Sequence, residues 1–297
     1  MNLLITGANG QLGSELRRII GTEANELKNI NKVFYTDVQE LDITDSDAIQ
    51  AFVREHDIKC TINCAAFTAV DRAEQEPELC HRLNAEAPGF LARAMAEVGG
   101  TMIHISTDYV FDGTGHRPYR EDDEAKPLGV YGSTKFEGEQ AVRQNLPNDH
   151  IILRTAWLYS SFGNNFVKTM LRLGSEREEL RVVADQVGTP TYAADLAAQI
   201  VAIINASAFY AGTYHFSNQG VCSWYDFTAT IFDLAGINTC KLYPINSEEY
   251  PTPARRPNYS VLDKTKITHT YGANINWWRD SLVKCLEELN ALGSKNK

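Results

Sequence analysis

The 297-residue sequence lacks several features that would each place it in another class of protein. No apolar run reaches about 18 residues, and no charged segment followed by an apolar one opens the chain, so neither a membrane span nor an export signal is predicted. No basic patch interrupts the net charge of −10, which argues against nucleic acid as a partner. The six cysteines follow no repeating spacing, and we interpret them as reduced core residues. A cytoplasmic protein is therefore expected.

A glycine-rich turn follows the first predicted strand, Asn2–Thr6. Residues 7–13 read GANGQLG and lead into an amphipathic helix predicted over 14–20. In such a turn the first glycine permits the sharp bend, the second lets the backbone approach a pyrophosphate, and the third lets the helix pack on the strand. Because free amides at the helix N-terminus then face the anion, this pattern predicts a dinucleotide site.

An acidic residue, Asp37, ends the second predicted strand, Lys32–Thr36. A carboxylate at this position accepts hydrogen bonds from the adenosine ribose hydroxyls and disfavours a 2′-phosphate. The cofactor is therefore expected to be NADH or NADPH, with NADH favoured. Arg17 and Arg18 in the first helix are the alternative, because they could support a 2′-phosphate, although helical arginines are more often solvated.

Strands and helices alternate through the first half of the chain. After Asp37 the apolar spacing predicts a helix around Ile49, Phe52 and Val53, strands over 59–66, 101–106 and 151–155, and helices over 84–98 and 133–144. This order predicts an α/β fold with a Rossmann-type, doubly wound parallel sheet. We assign 1–155 to the NAD(P)-binding domain and 156–297 mainly to a smaller C-terminal substrate-binding part, with some segments returning to the sheet.

A tyrosine and a lysine stand four residues apart in the segment YGSTK, residues 131–135. A helix would place Tyr131 and Lys135 on one face, and the ammonium is expected to lower the pKa of the phenol, which suits a general acid or base. Ser106 ends an earlier predicted strand, and Thr107 and Asp108 follow it. Which of the two hydroxyls orients a substrate carbonyl stays open, because the sequence does not show which one faces the site.

Aromatic and cationic residues of the second half are candidates for substrate recognition. They are Trp157, Arg154 and the pair Arg255 and Arg256. An indole stacks on a flat base or sugar face, and a guanidinium binds phosphate through two hydrogen bonds. Core packing of Trp157 and a solvated loop for the arginine pair remain open alternatives.

Eight longer segments of the chain resemble one known family. They are LLITGANGQLGSEL (3–16), INCAAFTAVDRAE (62–74), STDYVFDGTG (106–115), YGSTKFEGE (131–139), RTAWLYS (154–160), VADQVGTPTYAADLA (183–197), GTYHFSN (212–218) and RRPNYSVLD (255–263), and together they span nearly the whole chain. The chain resembles the dTDP-4-dehydrorhamnose reductase family of the extended short-chain dehydrogenase/reductase superfamily. The blocks STDYVFDG and RTAWLY distinguish this family from epimerases and dehydratases of the same superfamily.

The resemblance implies reduction of the C4 carbonyl of dTDP-4-dehydro-β-L-rhamnose to dTDP-β-L-rhamnose, the last step of dTDP-L-rhamnose biosynthesis. It implies that Tyr131 donates the proton, that Lys135 holds the nicotinamide ribose and that Thr107 hydrogen-bonds the carbonyl. Thr107, Asp108 and Trp157 are then expected to contact the substrate, and we add Arg256 from its charge. The expected cofactor contacts are Gly7, Gly10, Gln11, Leu12, Gly13, Asp37, Leu41, Asp42, Ala65, Ala66, Phe67, Tyr131 and Lys135.

Two other functions are kept as alternatives. One is another nucleotide-sugar 4-ketoreductase, which would differ in base or in sugar stereochemistry. The other is a non-catalytic NAD(P)-bound regulatory subunit, in which Thr107, Tyr131 and Lys135 would be unused. Some family members are described as magnesium-bridged dimers, so a homodimer is a candidate assembly. No acidic cluster in this chain requires the ion, and no metal is therefore predicted.

Overall fold

The structure is a computed structural model that describes residues 1–20, 22 and 27–293. Its strands are β1 (Asn2–Thr6), β2 (Lys32–Thr36), β3 (Ile58–Asn63), β4 (Thr101–Thr107), β5 (His150–Thr155), β6 (Leu158–Tyr159), β7 (Glu179–Val183), β8 (Val187–Gly188), β9 (Thr191–Tyr192), β10 (Gly212–His215), β11 (Cys222–Ser223) and β12 (Lys241–Ile245). Its helices are α1 (Gln11–Ile19), α2 (Ser46–Glu55), α3 (Val70–Ala73), α4 (Pro77–His81), α5 (Ala87–Glu97), α6 (Val130–Asn145), α7 (Phe166–Glu176), α8 (Ala193–Ile204), α9 (Trp224–Ala235), α10 (Thr265–Tyr271) and α11 (Trp278–Glu288). A π-helical segment, Arg82–Glu86, joins α4 to α5, and 3₁₀ turns cover Asp108–Val110 and Ser247–Glu249.

Six of the described strands form one parallel sheet in the order β10-β5-β4-β3-β1-β2. Helices cover both faces, as the side chains of β1 show. Leu3 and Ile5 pack in a cluster with α1 and α8, whereas Leu4 between them packs on the opposite face with α2 and α5. The predicted α/β fold with a doubly wound parallel sheet is confirmed.

Three helices and strands, α1, β3 and α6, begin or end at other residues than predicted, and these ends lie at the site. Helix α1 begins at Gln11, directly after the Gly10 cap, rather than at residue 14. Strand β3 ends at Asn63, whose side-chain oxygen accepts a hydrogen bond from the Ala65 amide at 3.2 Å and turns the chain out of the sheet. Helix α6 begins at Val130, so Tyr131 stands in its first turn.

Residues after 155 contribute to three apolar clusters. Helices α7, α9 and α11 enclose one of them, which includes Val167, Phe227 and Leu282. Strand β10 instead joins the large sheet beside β5, and α8 packs on α1. The division of the chain at residue 155 stays a prediction, and residues 294–297 of the predicted second part lie outside the described residues.

Candidate active site

A cavity of about 790 Å³ opens where β1, β3, β4 and β5 end. The carboxyl ends of parallel strands are the usual ligand position in a doubly wound sheet. The cavity brings together most of the residues predicted for the site: Gly7, Gly10, Gln11, Leu12, Gly13, Asp37, Leu41, Asp42, Ala65, Ala66, Thr107, Asp108, Tyr131, Lys135 and Trp157. Phe67 and Arg256 lie outside its lining.

The glycine turn forms one end of the cavity. Gly7 has a φ of 62°, and a Cβ there would approach the Ala65 Cα to 2.7 Å. A Cβ on Gly13 would lie 2.5 Å from the Gly7 carbonyl oxygen, so both positions require glycine. Helix α1 has no side-chain cap and no acidic residue in its first turn, which leaves its first amides for an anion. These residues fit the pyrophosphate of a dinucleotide.

Acidic side chains surround the end of β2. The Asp37 carboxylate accepts hydrogen bonds from the amides of Asn9 at 3.2 Å and Val38 at 2.9 Å. The two arginines considered for a 2′-phosphate have protein partners. The Arg17 guanidinium stacks over the ring of Tyr35, 4.8 Å from its centroid. Arg18 instead forms ion pairs with Glu15 and Glu288. Lys135 is the sole cation among the described residues that line the cavity.

Phe67 follows the cavity-lining residues Ala65 and Ala66 and does not itself line the cavity. Its ring packs in a small buried cluster with Ala73 and Cys80. Its amide donates to the Asn84 side-chain oxygen at 2.8 Å, and its carbonyl accepts from the Asn84 side-chain nitrogen at 3.0 Å. This pair of bonds holds the segment that carries Ala65 and Ala66 along the cavity.

The hydroxyls of Ser106 and Thr107 have different partners. Ser106 donates to the buried Glu139 carboxylate at 2.6 Å. Thr107 donates to the Asp108 carboxylate at 3.1 Å and interacts with the phenol of Tyr131. Because adjacent residues of a strand point to opposite faces, only one hydroxyl can serve the tyrosine, and it is that of Thr107.

Tyr131 is half-buried, and its phenol keeps its proton at neutral pH. Burial raises its pKa to about 12, and the negative charge of Asp108 adds to the rise, whereas hydrogen bonding to Thr107 acts in the opposite direction. The expectation that Lys135 lowers this pKa is therefore wrong for this structure, because the Lys135 ammonium donates to the main-chain oxygen of Ile105 at 2.6 Å instead. A phenol that keeps its proton at neutral pH suits a proton donor.

Lys135 has a lowered pKa. Burial lowers the pKa of its ammonium to about 8, against the negative charge of Glu139 one turn further along α6 and the nearby thiols of Cys80 and Cys64. The ammonium is therefore mostly charged at neutral pH and loses its charge in mildly alkaline solution.

A carboxyl and an indole line the cavity beside Tyr131. Burial raises the pKa of Asp108 to about 6, although the hydroxyls of Ser260 and Thr107 act in the opposite direction. No described group lies within hydrogen-bond geometry of its buried Oδ2. Such an oxygen is suited to accept a hydrogen bond from a ligand hydroxyl. The indole of Trp157 stacks on that of Trp224 with the ring centroids 3.5 Å apart, on a backbone with a φ of 48°.

The arginines of the second half have protein partners. Arg154 is buried, and its Nε and Nη2 donate to the Glu139 carboxylate at 2.8 and 2.7 Å. Arg154 is therefore not available to a substrate, and that expectation is wrong. Arg256 is half-buried, and its guanidinium binds the Asp71 carboxylate with contacts of 2.7 and 3.1 Å. Arg255 is exposed.

Sequence reasoning missed other residues of the site. Asn165 lines the cavity over the glycine turn and donates from its side chain to the Gln11 side-chain oxygen at 3.0 Å. Nothing local to Asn165 or Trp224 signals such a role, because their partners are distant in sequence. Glu139 could have been found, since it continues the four-residue spacing of Tyr131 and Lys135 on α6.

The described residues hold no candidate for a membrane span or for a metal centre. No described helix is long and apolar enough to cross a membrane. No group of three or more His, Cys, Asp or Glu residues in the described ranges could hold a metal ion. The six cysteines are free thiols.

Comparison with known proteins gives consistent matches over nearly the full length. A family model described as RmlD substrate binding domain matches residues 1–291. A dTDP-4-dehydrorhamnose reductase of Streptomyces griseus is 40% identical over 289 residues, covering 96% of this chain and 93% of that protein. The crystal structure of a dTDP-4-dehydrorhamnose reductase from Clostridium acetobutylicum is similar with a TM-score of 0.91 and 46% identity, covering 98% of this chain and 100% of that one. That of the Bacillus anthracis enzyme in complex with NADP has a TM-score of 0.90 and 40% identity, covering 97% and 100%.

Proposed function

The chain belongs to the RmlD substrate binding domain family, and we propose that its cavity reduces the C4 carbonyl of dTDP-4-dehydro-β-L-rhamnose to give dTDP-β-L-rhamnose. The protein is an oxidoreductase of dTDP-rhamnose biosynthesis, and it binds NAD(P)H. The observation that carries the proposed chemistry is the phenol of Tyr131 beside the Thr107 hydroxyl, in a cavity that the glycine turn also lines.

Each polar side chain has one proposed role in the reduction. The nicotinamide, when bound, supplies the hydride to C4. Tyr131 donates the proton to the C4 oxygen, and the Thr107 hydroxyl hydrogen-bonds that oxygen as negative charge develops on it. Lys135 holds the nicotinamide ribose and so orients the nicotinamide towards the carbonyl. Asp108 accepts a hydrogen bond from the sugar, and the Trp157 indole covers the sugar or the base.

The direct test is the oxidation of NADH or NADPH by the purified protein with a set of nucleotide sugars. We expect turnover with dTDP-4-dehydro-β-L-rhamnose and formation of dTDP-β-L-rhamnose. Preference for a 4-keto sugar with another base or stereochemistry would contradict the proposed substrate but support the proposed carbonyl reduction. Tight NADH binding without turnover of any 4-keto sugar would contradict the enzymatic function.

The choice of NADH over NADPH is proposed from the acidic end of β2. Asp37→Ser should shift the ratio of kcat/KM for the two cofactors towards NADPH by about tenfold, because it removes a carboxylate that repels a 2′-phosphate. Steady-state kinetics with both cofactors measures this ratio. Glu40→Gln is the matched control, since it removes the same charge three residues away and should change the ratio little. A wild-type preference for NADPH of about tenfold or more would contradict the proposal.

The negatively charged diphosphate of the substrate needs a cation, and we propose that Arg256 binds it. This residue lies outside the lining but interacts electrostatically with Tyr109, which lines the cavity. Arg256→Ala should raise KM for the sugar nucleotide by about tenfold with little change in NADH affinity, the signature of lost ground-state binding.

Asp71→Ala separates this role from a structural one. It breaks the same ion pair with Arg256 but leaves the guanidinium in place, so KM should not rise. If both variants raise KM equally and melt at a lower temperature, Arg256 only anchors the loop, and the diphosphate is bound elsewhere.

The place of action and the assembly are also proposals. NADH and nucleotide sugars are cytoplasmic metabolites, and this supports a cytoplasmic enzyme. A homodimer stays a prediction that sedimentation equilibrium of the purified protein can test.

A further inference from the structure

We propose that Glu139 is a positioning residue for the reaction: it fixes the catalytic helix α6 against the strands that carry the substrate-orienting hydroxyl, and it keeps Lys135 charged. This inference rests on the proposed reductase function. Glu139 does not line the cavity, so it acts through Ser106 and Lys135 rather than by contact with a ligand.

The Glu139 carboxylate is fully buried and joins three elements. It accepts hydrogen bonds from Ser106 of β4 at 2.6 Å and from Arg154 of β5 at 2.8 and 2.7 Å. Ser106 and Arg154 are register partners across these two strands, so one carboxylate binds both members of a cross-strand pair. Arg143, one turn further along α6, donates to it at 2.8 Å. Burial raises the pKa of Glu139, but these hydrogen bonds outweigh burial and hold the pKa below its usual value.

Hydrogen bonds help to fix the position of α6 along its axis. Glu139 accepts one of them, and the Val130 amide, which donates to Glu74 at 2.8 Å, makes another. Where α6 packs most closely it presents glycines: a Cβ on Gly132 would lie 2.3 Å from the Tyr109 carbonyl oxygen, and one on Gly138 would lie 2.0 Å from that of Asn84. A glycine lets the backbones approach but offers no side chain to resist sliding along the helix axis. The hydrogen bonds that Ser106 donates to Glu139 and that Lys135 donates to the Ile105 oxygen resist that sliding.

The position of α6 along its axis matters for the chemistry. Tyr131, Lys135 and Glu139 are separated by successive steps of four residues, each about 6 Å along the helix, and lie on one face. Ser106 immediately precedes Thr107 on β4, so the bond that fixes Ser106 to Glu139 also sets the distance from the Thr107 hydroxyl to the Tyr131 phenol. A displacement of about 1 Å in such a pair is enough to lower the rate strongly.

Glu139 also acts on Lys135 through its charge. The groups that face the ammonium are the thiols of Cys64 and Cys80, the imidazole of His104 and the carboxylate of Glu139. Glu139 is the carboxylate among these groups. Burial lowers the pKa of Lys135, and the charge of Glu139 raises it. Without it the ammonium would lose its proton at lower pH.

The first test is Ser106→Ala, which removes the link to β4 and leaves the ion pairs of Glu139 intact. We expect kcat to fall about tenfold, the equivalent of one hydrogen bond to a charged group, while KM and the Kd for NADH stay within about twofold. Ser281→Ala is the matched control, because the buried Ser281 hydroxyl also donates a hydrogen bond to a carboxylate, that of Asp195. The control should lower the melting temperature to a similar extent and leave kcat unchanged.

The second test is Glu139→Gln, with the Kd for NADH measured by fluorescence titration across a pH series. We expect the alkaline loss of NADH affinity to move towards lower pH by about one pH unit. This readout needs no turnover, so it still tests Glu139 if the wild type fails to reduce a 4-keto sugar and the proposed function fails. Should Glu139→Gln not fold, Ser106→Ala decides. Unchanged kcat in Ser106→Ala, or an unmoved alkaline limb in Glu139→Gln, overturns the proposal and leaves Glu139 a structural ion pair.

Discussion

Tyr131→Phe is expected to lower kcat by about 100-fold or more while the Kd for NADH changes little, because the variant loses the proton donor and keeps the ring. A factor of 100 corresponds to about 2.7 kcal/mol of transition-state free energy. Burial raises the pKa of the phenol to about 12, so the wild-type group holds its proton throughout the neutral range and delivers it when the carbonyl becomes an alkoxide. Stopped-flow or steady-state oxidation of NADH measures kcat, and fluorescence titration measures Kd.

Tyr109→Phe is the control for this variant. Tyr109 packs edge to face on Tyr131, with the ring centroids 5.5 Å apart, and it also lines the cavity. The Tyr109→Phe variant also loses a phenolic hydroxyl, but from the neighbouring ring, and its kcat is expected to fall by less than about tenfold. Near-normal turnover in Tyr131→Phe would remove this residue from the role of proton donor.

Lys135→Met should impair both turnover and cofactor binding, with a decrease in kcat of about 100-fold and an increase in the Kd for NADH of about tenfold. The variant loses the ammonium that is proposed to hold the ribose and so to orient the nicotinamide towards the carbonyl. It also removes the hydrogen bond from the ammonium to the Ile105 carbonyl oxygen. Kinetics and NADH titration on the same preparations separate the two effects.

The pH profile gives a second measure of Lys135. A lysine loses its charge as pH rises through its pKa, which burial lowers to about 8 in this protein. The wild-type rate should therefore fall above about pH 8, and this limb should be absent in Lys135→Met, because methionine does not titrate. Tyr131, with a pKa of about 12, contributes nothing in that range. An effect of the substitution on NADH affinity alone would contradict a role for Lys135 in the chemical step.

The sequence alone determined the features that depend on short segments. Strand, glycine turn and helix are contiguous over residues 2–19, so their spacing predicts a dinucleotide site without knowledge of the rest of the chain. The alternation of apolar segments likewise predicts the parallel sheet, since each strand needs two covered faces. The four-residue step from Tyr131 to Lys135 is fixed by helix geometry once the segment is helical.

Only the tertiary structure decided what each polar side chain binds, because the partners come from distant parts of the chain. Packing of α6 on β4 assigned Ser106 to Glu139 and left Thr107 for Tyr131. Burial raised the pKa of Tyr131 where the helix spacing by itself suggested that it would fall. Arg256 pairs with Asp71 across 185 residues, and no local pattern encodes such a pair. Propensity and periodicity act over a few residues, whereas desolvation and ion pairing depend on whatever the fold brings within a few ångströms.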